Sequence, residues 1–521
     1  MADRARPLSL GASAGWLAAA GLLVLTVGTT AVVLARAGTA PMPGANDWAA
    51  VRFTVLQAAI SALISAGLAI PVARALARRS FPGRGILISL MGAPFLLPGI
   101  VAVIGILEVF GRAGWISQIP AIFDLPPLQI YGPVGVILAH VFFNLPLAVR
   151  LILQGWRDIP AERFRLAASL GFRSRDIARL LERPMLRSTL PGVILTIFLI
   201  CLTSFVVALT LGGGPRATTV ELAIYQAFRF DFDPARAAML GAVQFALCLG
   251  ATLIALRVSI GSGFGAGLDR PIPNWAARGA GARLADTAIL ALATAFLLLP
   301  LLAVVLSGLP YLAQIPPSLG EAALRSLIMA IASAALALGT ALALAHLALT
   351  PGATGRLAEV AGTLTLAASP LVMGTGLFLI LRPVIDPTAA ALPVTVAVNA
   401  AMAVPFALRI LLPGLREVQR GYGRLSDSLG ITGWSRLRLV TWPRLRRPIG
   451  FAAGLSAALA MGDLGVIALF GDPGRATLPL EVFRLMGAYR TNAAAAGAVL
   501  LLALSFGLFW ICDTWGRNAR A

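Results

Sequence analysis

Apolar residues in this chain do not alternate with polar ones at the period of a half-buried strand. They come in long runs separated by short polar stretches. A run of roughly 20 apolar residues is long enough, at the helical rise, to cross the hydrocarbon core of a bilayer. Twelve such runs are predicted, near 16–36, 51–77, 86–110, 131–153, 190–211, 236–257, 284–307, 322–349, 357–382, 390–412, 449–470 and 493–512. The expected fold class is therefore an all-α polytopic membrane protein with about 12 transmembrane helices. The first run follows basic residues and ends near Ala35 and Ala37, as a secretory signal would. It is nevertheless long for a signal core, and eleven more runs follow.

The order of the runs contains a repeat. An offset of 259 residues aligns His140 to Leu190 with Asn399 to Ile449 without a gap, and 16 of the 51 pairs are identical. Chance in so biased a composition would give about five. Among the matches are Pro146 with Pro405, Arg150 with Arg409, Arg165 with Arg424, Leu170-Gly171 with Leu429-Gly430, Pro184 with Pro443, and Arg187 with Arg446. Six predicted spans separate equivalent points, so the halves share one orientation: a parallel repeat about an axis along the membrane normal. The expected organisation is a first six-span repeat over 1–258, a cytoplasmic linker over 259–283 rich in glycine with Pro271 and Pro273, and a second repeat over 284–521.

Composition agrees with the pattern: of 521 residues, 58% are hydrophobic and 12% charged. A formal net charge of +20 would suit a nucleic-acid binder, but the arginines sit between spans rather than over a soluble face. Counting loops alternately from Arg4 and Arg6 puts Arg74, Arg78, Arg79 and Arg84 on the cytoplasmic side. The same side receives Arg150 to Arg187, Arg257 to Arg283, Arg409 to Arg447, and finally Arg517 and Arg520. This is the positive-inside bias, and it predicts both termini in the cytoplasm. Trp16, Trp48, Trp115, Trp442 and Trp510 fall at or near span ends, where the amphipathic ring is favoured.

The two aligned basic loops, about 157–187 and 416–447, share a layout of helix, glycine, helix and proline. In the first, a piece over about Ala161 to Leu170 ends at Gly171, where a sharp reversal is expected. A second piece runs to Glu182, and Pro184 predicts a break before the next span. Each loop carries nine arginines, counted from Arg150 to Arg187 and from Arg409 to Arg447. These loops resemble the EAA loops of ABC importer permeases, short helices that dock in clefts of cytoplasmic ATPase subunits. The resemblance makes Gly171 and Gly430 the turns, and Leu166, Ala167 and Leu425 the docking contacts. Where the family commonly has glutamate, six residues before the glycine, this chain has Arg165 and Arg424. That departure leaves the ATPase partner of the position open.

The segments GRAGWIS, AHVFFNLPLAVRLILQ, LGGGPRATTVELAIYQAFRFDFDPARAAML and MGDLGVIALFGD narrow the resemblance, over nearly the whole chain, to the thiamine and thiamine-pyrophosphate ABC transporter permeases. The resemblance implies a type I importer permease with two fused halves, two copies of an ABC ATPase subunit, and a periplasmic thiamine-binding protein. The fused ferric-iron importer permease is a nearby alternative, and an ion-coupled secondary transporter is the alternative of another class. The chain has no lysine, so it cannot contain the lysine-bearing phosphate loop, and ATP hydrolysis must lie in separate subunits.

Asp463 lies inside an apolar run, where an ionisable group is costly and therefore a functional candidate. It could pair with an arginine or cap a broken helix; alternatively it attracts the cationic thiazolium of thiamine, with Phe205 adding a cation–π contact. Its counterpart in the first half falls at Ser204 and Phe205. Glu108 and Asp286 lie near span ends and are expected to be solvated, and Gly212 to Gly214 to form an outer turn. Cys201, Cys248, Cys512, His140 and His346 have no metal-ligand spacing and read as packing residues. No catalytic constellation, metal site or resident cofactor is expected.

Overall fold

A computed structural model describes residues 9–38, 42–92, 96–121, 123–124, 126–257, 279–365, 368–470 and 473–517. Most of the expected linker, together with Arg4, Arg6, Arg270, Arg278 and Arg520, lies outside them. The described residues are almost wholly helical, with no strand among them.

The first half contains α1 (Ser13–Ala37), α2 (Ala45–Arg78), α3 (Arg84–Leu90), α4 (Gly99–Phe110), α5 (Pro133–Arg157), α6 (Ala161–Ser169), α7 (Arg183–Leu202), α8 (Val206–Leu211), α9 (Val220–Arg229) and α10 (Pro234–Arg257). The same order returns as α11 (Ala280–Gly308), α12 (Pro317–Leu347), α13 (Ala353–Leu364), α14 (Pro370–Leu381), α15 (Ala391–Ser428), α16 (Trp442–Met461), α17 (Gly465–Phe470), α18 (Leu478–Gly487) and α19 (Thr491–Arg517). One helix, α15, replaces the separate α5 and α6. Pro160, which precedes α6, interrupts the first copy, and Gln419 stands at the aligned position of the second.

Among the described residues ten helices are long and apolar enough to cross a membrane. The remaining two predicted runs, the third and the ninth, are each two short helices, α3 with α4 and α13 with α14. Hydropathy did not reveal these interruptions because both pieces of each pair are apolar. Pro98 and Pro370, at the starts of α4 and α14, mark them. The expected breaks at Pro184 and Pro443 do not occur. Each proline enters the first turn of its helix, directly after a π-helical turn at Ala178–Glu182 or Leu437–Thr441, so helical structure continues from the loop into the span.

The first helix of each half packs on the other half. Helix α1 lies against α12 and α14, and α11 lies against α2 and α4. Both crossings use a glycine: a Cβ on Gly105 of α4 would overlap the backbone of Pro300, and one on Gly376 of α14 would overlap that of Thr29. Small residues allow such close approach where the surroundings supply no hydrophobic drive between helices.

Asp286, near the start of α11, is not solvated as expected but buried, with 3% of its side chain exposed. Arg78 Nε donates to its Oδ2 at 2.9 Å, and Arg79 Nε donates to the same oxygen at 2.6 Å. These bonds join the C-terminal end of α2 to the other half. The five tryptophans assigned to span ends are all more than 40% exposed, consistent with a place at the membrane boundary. Asp286→Ala is expected to cost about 3 kcal/mol, because it leaves two half-buried guanidinium groups without their shared carboxylate. Thermal unfolding of the detergent-purified chain checks this, and an unchanged midpoint would show that the junction does not depend on the pair.

Candidate functional site

The two basic loops adopt the same turn. After α6, Gly171 has φ +68°, the Phe172 N–H donates to the Ala167 carbonyl at 2.9 Å, and the Gly171 N–H donates to Ala168 at 3.1 Å. After α15, Gly430 has φ +62°; the Ile431 N–H donates to Ser426 at 2.9 Å and the Gly430 N–H donates to Asp427 at 3.2 Å. This double bond pattern closes a helix through a left-handed residue, the conformation that favours glycine.

The turn presents apolar side chains outward. Leu166, Leu170, Leu425 and Leu429 are exposed, as is Trp434 beyond the second turn. Arg165 and Arg424 lie beside them on the exposed face, Arg165 donating to Glu162 at 2.8 Å. Ala167 does not share this exposure. It is packed inward with Phe164 and Ile177, so it shapes the loop rather than offering a contact. Pro184 and Pro443 are exposed at the base of the spans that follow.

The loops differ in how they are tied down. Glu182 binds Arg74 of α2 at 2.9 Å in the first. The second uses Arg436, which donates to Asp427 and Gln419, both at 2.9 Å, and Arg444, which stacks on Tyr422 at 3.7 Å.

From each turn, helical structure runs without interruption to a break inside the apolar region. The first run, Ser174–Leu202, stops at residues 203–205; the second, from Gly433, stops at 462–464. These breaks are 259 residues apart, as the repeat requires. In the first half two buried glutamines satisfy the released carbonyls: Gln57 donates to Cys201 at 3.0 Å and Gln244 donates to Leu202 at 2.8 Å. In the second half Asp463 caps the next helix, its Oδ1 accepting from the Gly465 N–H at 3.2 Å, with the side chain of Asn399 beside it. Asp463 Oδ2 is buried without a donor.

The structure brings two of the three path candidates together. A Cβ on Gly465 would lie 3.6 Å from Phe205, 3.7 Å from Asp463 Oδ1 and 3.0 Å from Leu371. Phe205 is buried, its ring edge-on to Tyr225 with centroids 5.3 Å apart. Ser204 sits at the equivalent break of the first half, partly exposed. The halves meet here: a Cβ on Gly462 would lie 3.0 Å from Cα of Pro98. Sequence reading missed Gln57, Gln244, Asn399, Tyr225 and Glu221. The last two belong to α9, inside a stretch read as outer loop. Its helical spacing of Val220, Ala223, Ile224, Ala227 and Phe228 was the available signal.

Apolar spans in a repeated order, two turned basic loops, and broken helices meeting between the halves define a multi-pass membrane permease. No family model matches the chain. The thiamine transport system permease protein of Brucella abortus is 41% identical over 514 residues, covering 96% of this chain and 94% of that protein. The protein of the same name from Escherichia coli is 41% identical over the full length of both. The chain belongs to the thiamine transport system permease family. A sulfate transport system permease protein of Synechocystis is 30% identical over 29% of this chain and 54% of its own length.

Replacing Gly171 or Gly430 by alanine places a Cβ in a left-handed backbone at an estimated cost of about 1 kcal/mol each. Amide exchange over 161–177 or 424–436 should quicken in the respective variant, while the spans keep their protection. Equal exchange in variant and parent would mean that the turn does not need glycine.

Proposed function

We propose that this chain is the permease of a binding-protein-dependent ABC importer that carries thiamine, or a thiamine phosphate, across the bacterial inner membrane. Separate ATPase subunits drive it, one on each basic loop. The observation that carries the reading is the paired construction: two turned loops, each joined by uninterrupted helical structure to a break where the halves meet. A run such as Ser174–Leu202, of 29 residues, extends about 40 Å at the helical rise. Displacement of the loop is thereby delivered to the break as a rigid-body shift.

Leu166, Leu170, Leu425 and Leu429 supply the apolar faces for docking, and Arg165 and Arg424 the flanking charge. ATP-driven closure of the two ATPase subunits would bring the loops together and rock the halves, opening the central path alternately to each side. At the break, Asp463 offers a buried carboxylate, and Phe205 an aromatic ring beside it. That pair suits the permanently charged thiazolium ring. A periplasmic binding protein would deliver the substrate to the outer loops, including 212–235 and 471–492, with both termini of the chain in the cytoplasm. Relatives named for thiamine transport along nearly the whole chain favour thiamine over ferric iron. A secondary transporter would have no need of two matched docking loops.

Charge reversal at Arg165 and Arg424, combined with Leu166→Glu and Leu425→Glu, is expected to abolish co-purification of the ATPase; full retention would remove the docking assignment. Asp463→Asn should lower ATP-dependent uptake of thiamine by proteoliposomes at least tenfold. Iron uptake is measured in parallel: robust iron transport with no movement of any thiamine form would overturn the substrate reading.

A further inference from the structure

Glu221 is an acidic side chain for which the transport cycle described above has no use. It is fully buried, at 0% exposure, in the second position of α9. Gln244 Nε2 donates to its Oε1 at 3.0 Å, and the same Nε2 donates to the Leu202 carbonyl at the first-half break. Ser369, at the start of α14, lies against the carboxylate from the other half. Oε2 is buried without a donor in bonding geometry. No arginine is paired with Glu221 among the described residues. The arginines that act on the neighbouring Tyr225 are Arg229 and Arg484, a turn or more further along.

Helix architecture does not account for a carboxylate here. An acid in the first turn complements the helix dipole, but that modest gain does not offset full removal of a carboxylate from water. The second half places its first-turn acid differently: Glu481 is the fourth residue of α18, 16% of its side chain is exposed and it has Arg484 at 3.9 Å, whereas Glu221 is fully buried. There α18 begins after Thr477 as α9 begins after Thr219. The first N–H of each helix donates to a hydroxyl on the second helix of its own half: Val220 to Thr54 at 2.9 Å, and Leu478 to Ser326 at 2.8 Å. Counted from these matched starts, the position of Glu221 is occupied by Pro479.

The residues around Glu221 are those proposed above to line the central path. Tyr225 follows it by one turn on the same face of α9, and the Tyr225 ring stacks on Phe205. Phe205 lies beside Gly465 and Asp463. Ser369 begins the turn that places Leu371 against Gly465. Two buried carboxylates, Asp463 and Glu221, thus flank one aromatic pair, each with only neutral groups beside it, Asn399 at Asp463 and Ser369 with Gln244 at Glu221, and the contacts join residues of both halves.

We propose that Glu221, with Tyr225, forms a second recognition element for the cationic ring of the substrate, an assignment that rests on the thiamine reading above. With the halves closed, Ser369 covers the carboxylate. When the halves rock apart, Ser369 leaves with the second half, and Glu221 and the face of Tyr225 become available to the thiazolium. A cation passing between the halves then moves between two carboxylates along an aromatic wall, with neither site deep enough to trap it.

The test is ATP-driven uptake by proteoliposomes holding this chain with its ATPase, supplied with the binding protein. Thiamine and thiamine pyrophosphate are the probes, and the variants are Glu221→Gln and Glu221→Asp. Glu221→Gln keeps the shape and most hydrogen bonds; co-purification of the ATPase serves as the control for folding. The expected result is a fall of at least tenfold in thiamine kcat/KM for Glu221→Gln, chiefly through KM, with most of it regained by Glu221→Asp. Thiamine pyrophosphate, whose phosphates oppose the ring charge, should lose less, so the preference between the two substrates shifts. Wild-type thiamine kinetics in Glu221→Gln, or an equal loss for both substrates, would overturn the assignment of Glu221 alone. A wild-type transporter that moves neither thiamine species would overturn this proposal together with the thiamine reading.

Discussion

A helix interrupted inside an apolar layer releases backbone N–H and C=O groups where no water meets them, and each must find a partner within the protein. The arrangement at the centre of this molecule follows from that constraint. Gln57 and Gln244 satisfy the carbonyls at the end of α7, and Asp463 satisfies an N–H at the start of α17. Because the partners come from α2, α10 and the break itself, each discontinuity is held by its own half. The interruptions are therefore stable features around which the halves can move, and the polar atoms they require are concentrated where the two halves meet.

The same constraint separates the halves in character. Glutamines are neutral and their amide donors here point at carbonyls, and Gln244 also donates to the buried carboxylate of Glu221. At the second-half break an aspartate caps the next helix directly with one oxygen, and its other oxygen is buried, so the acid sits in the break itself. A parallel repeat built from identical halves would place two such groups at symmetric positions. Divergence of the two copies has left different polar equipment around one geometry, and the basic-loop ends diverge too: α15 is continuous where Pro160 separates α5 from α6, and the first loop alone is tied to α2 by Glu182 and Arg74. The two ATPase sites proposed for the loops would therefore work against levers of unequal stiffness.

Much of this was legible in the chain because it is encoded locally. Spans appear in hydropathy, loops in arginine placement, and the turns at Gly171 and Gly430 in a gapless repeat. Long-range pairing was not legible. Asp286 reads as a solvated span-end acid because its partners, Arg78 and Arg79, lie about two hundred residues away across the interface. Pro184 and Pro443 read as stops because proline usually ends a helix; the π-helical turns before them have no comparable sequence mark. Glu221 reads as part of an outer loop because only tertiary packing buries α9. In the substrate region Asp463 was identifiable as an acid among apolar residues, whereas Gln57, Gln244 and Asn399 were hidden by being neutral.

Crossing of the first helices adds a further condition on movement. Since α1 is packed on α12 and α14, and α11 on α2 and α4, neither half can separate as a block without carrying a helix of the other. At Gly105 and Gly376 the approach of backbones leaves no room for sliding past a side chain, and at the C-terminal end of α2 Asp286 holds α11 to it. Relative motion is then directed into rocking about these crossings rather than outright separation. Rocking changes distances most at points far from the crossings. The loops lie at one such extreme, and the breaks, with Pro98 against Gly462 and Ser369 against Glu221, lie on the seam that must open. Under the proposed function, docking force and substrate access would thereby be coupled through the packing of α1 and α11, elements outside both the proposed docking faces and the proposed substrate path.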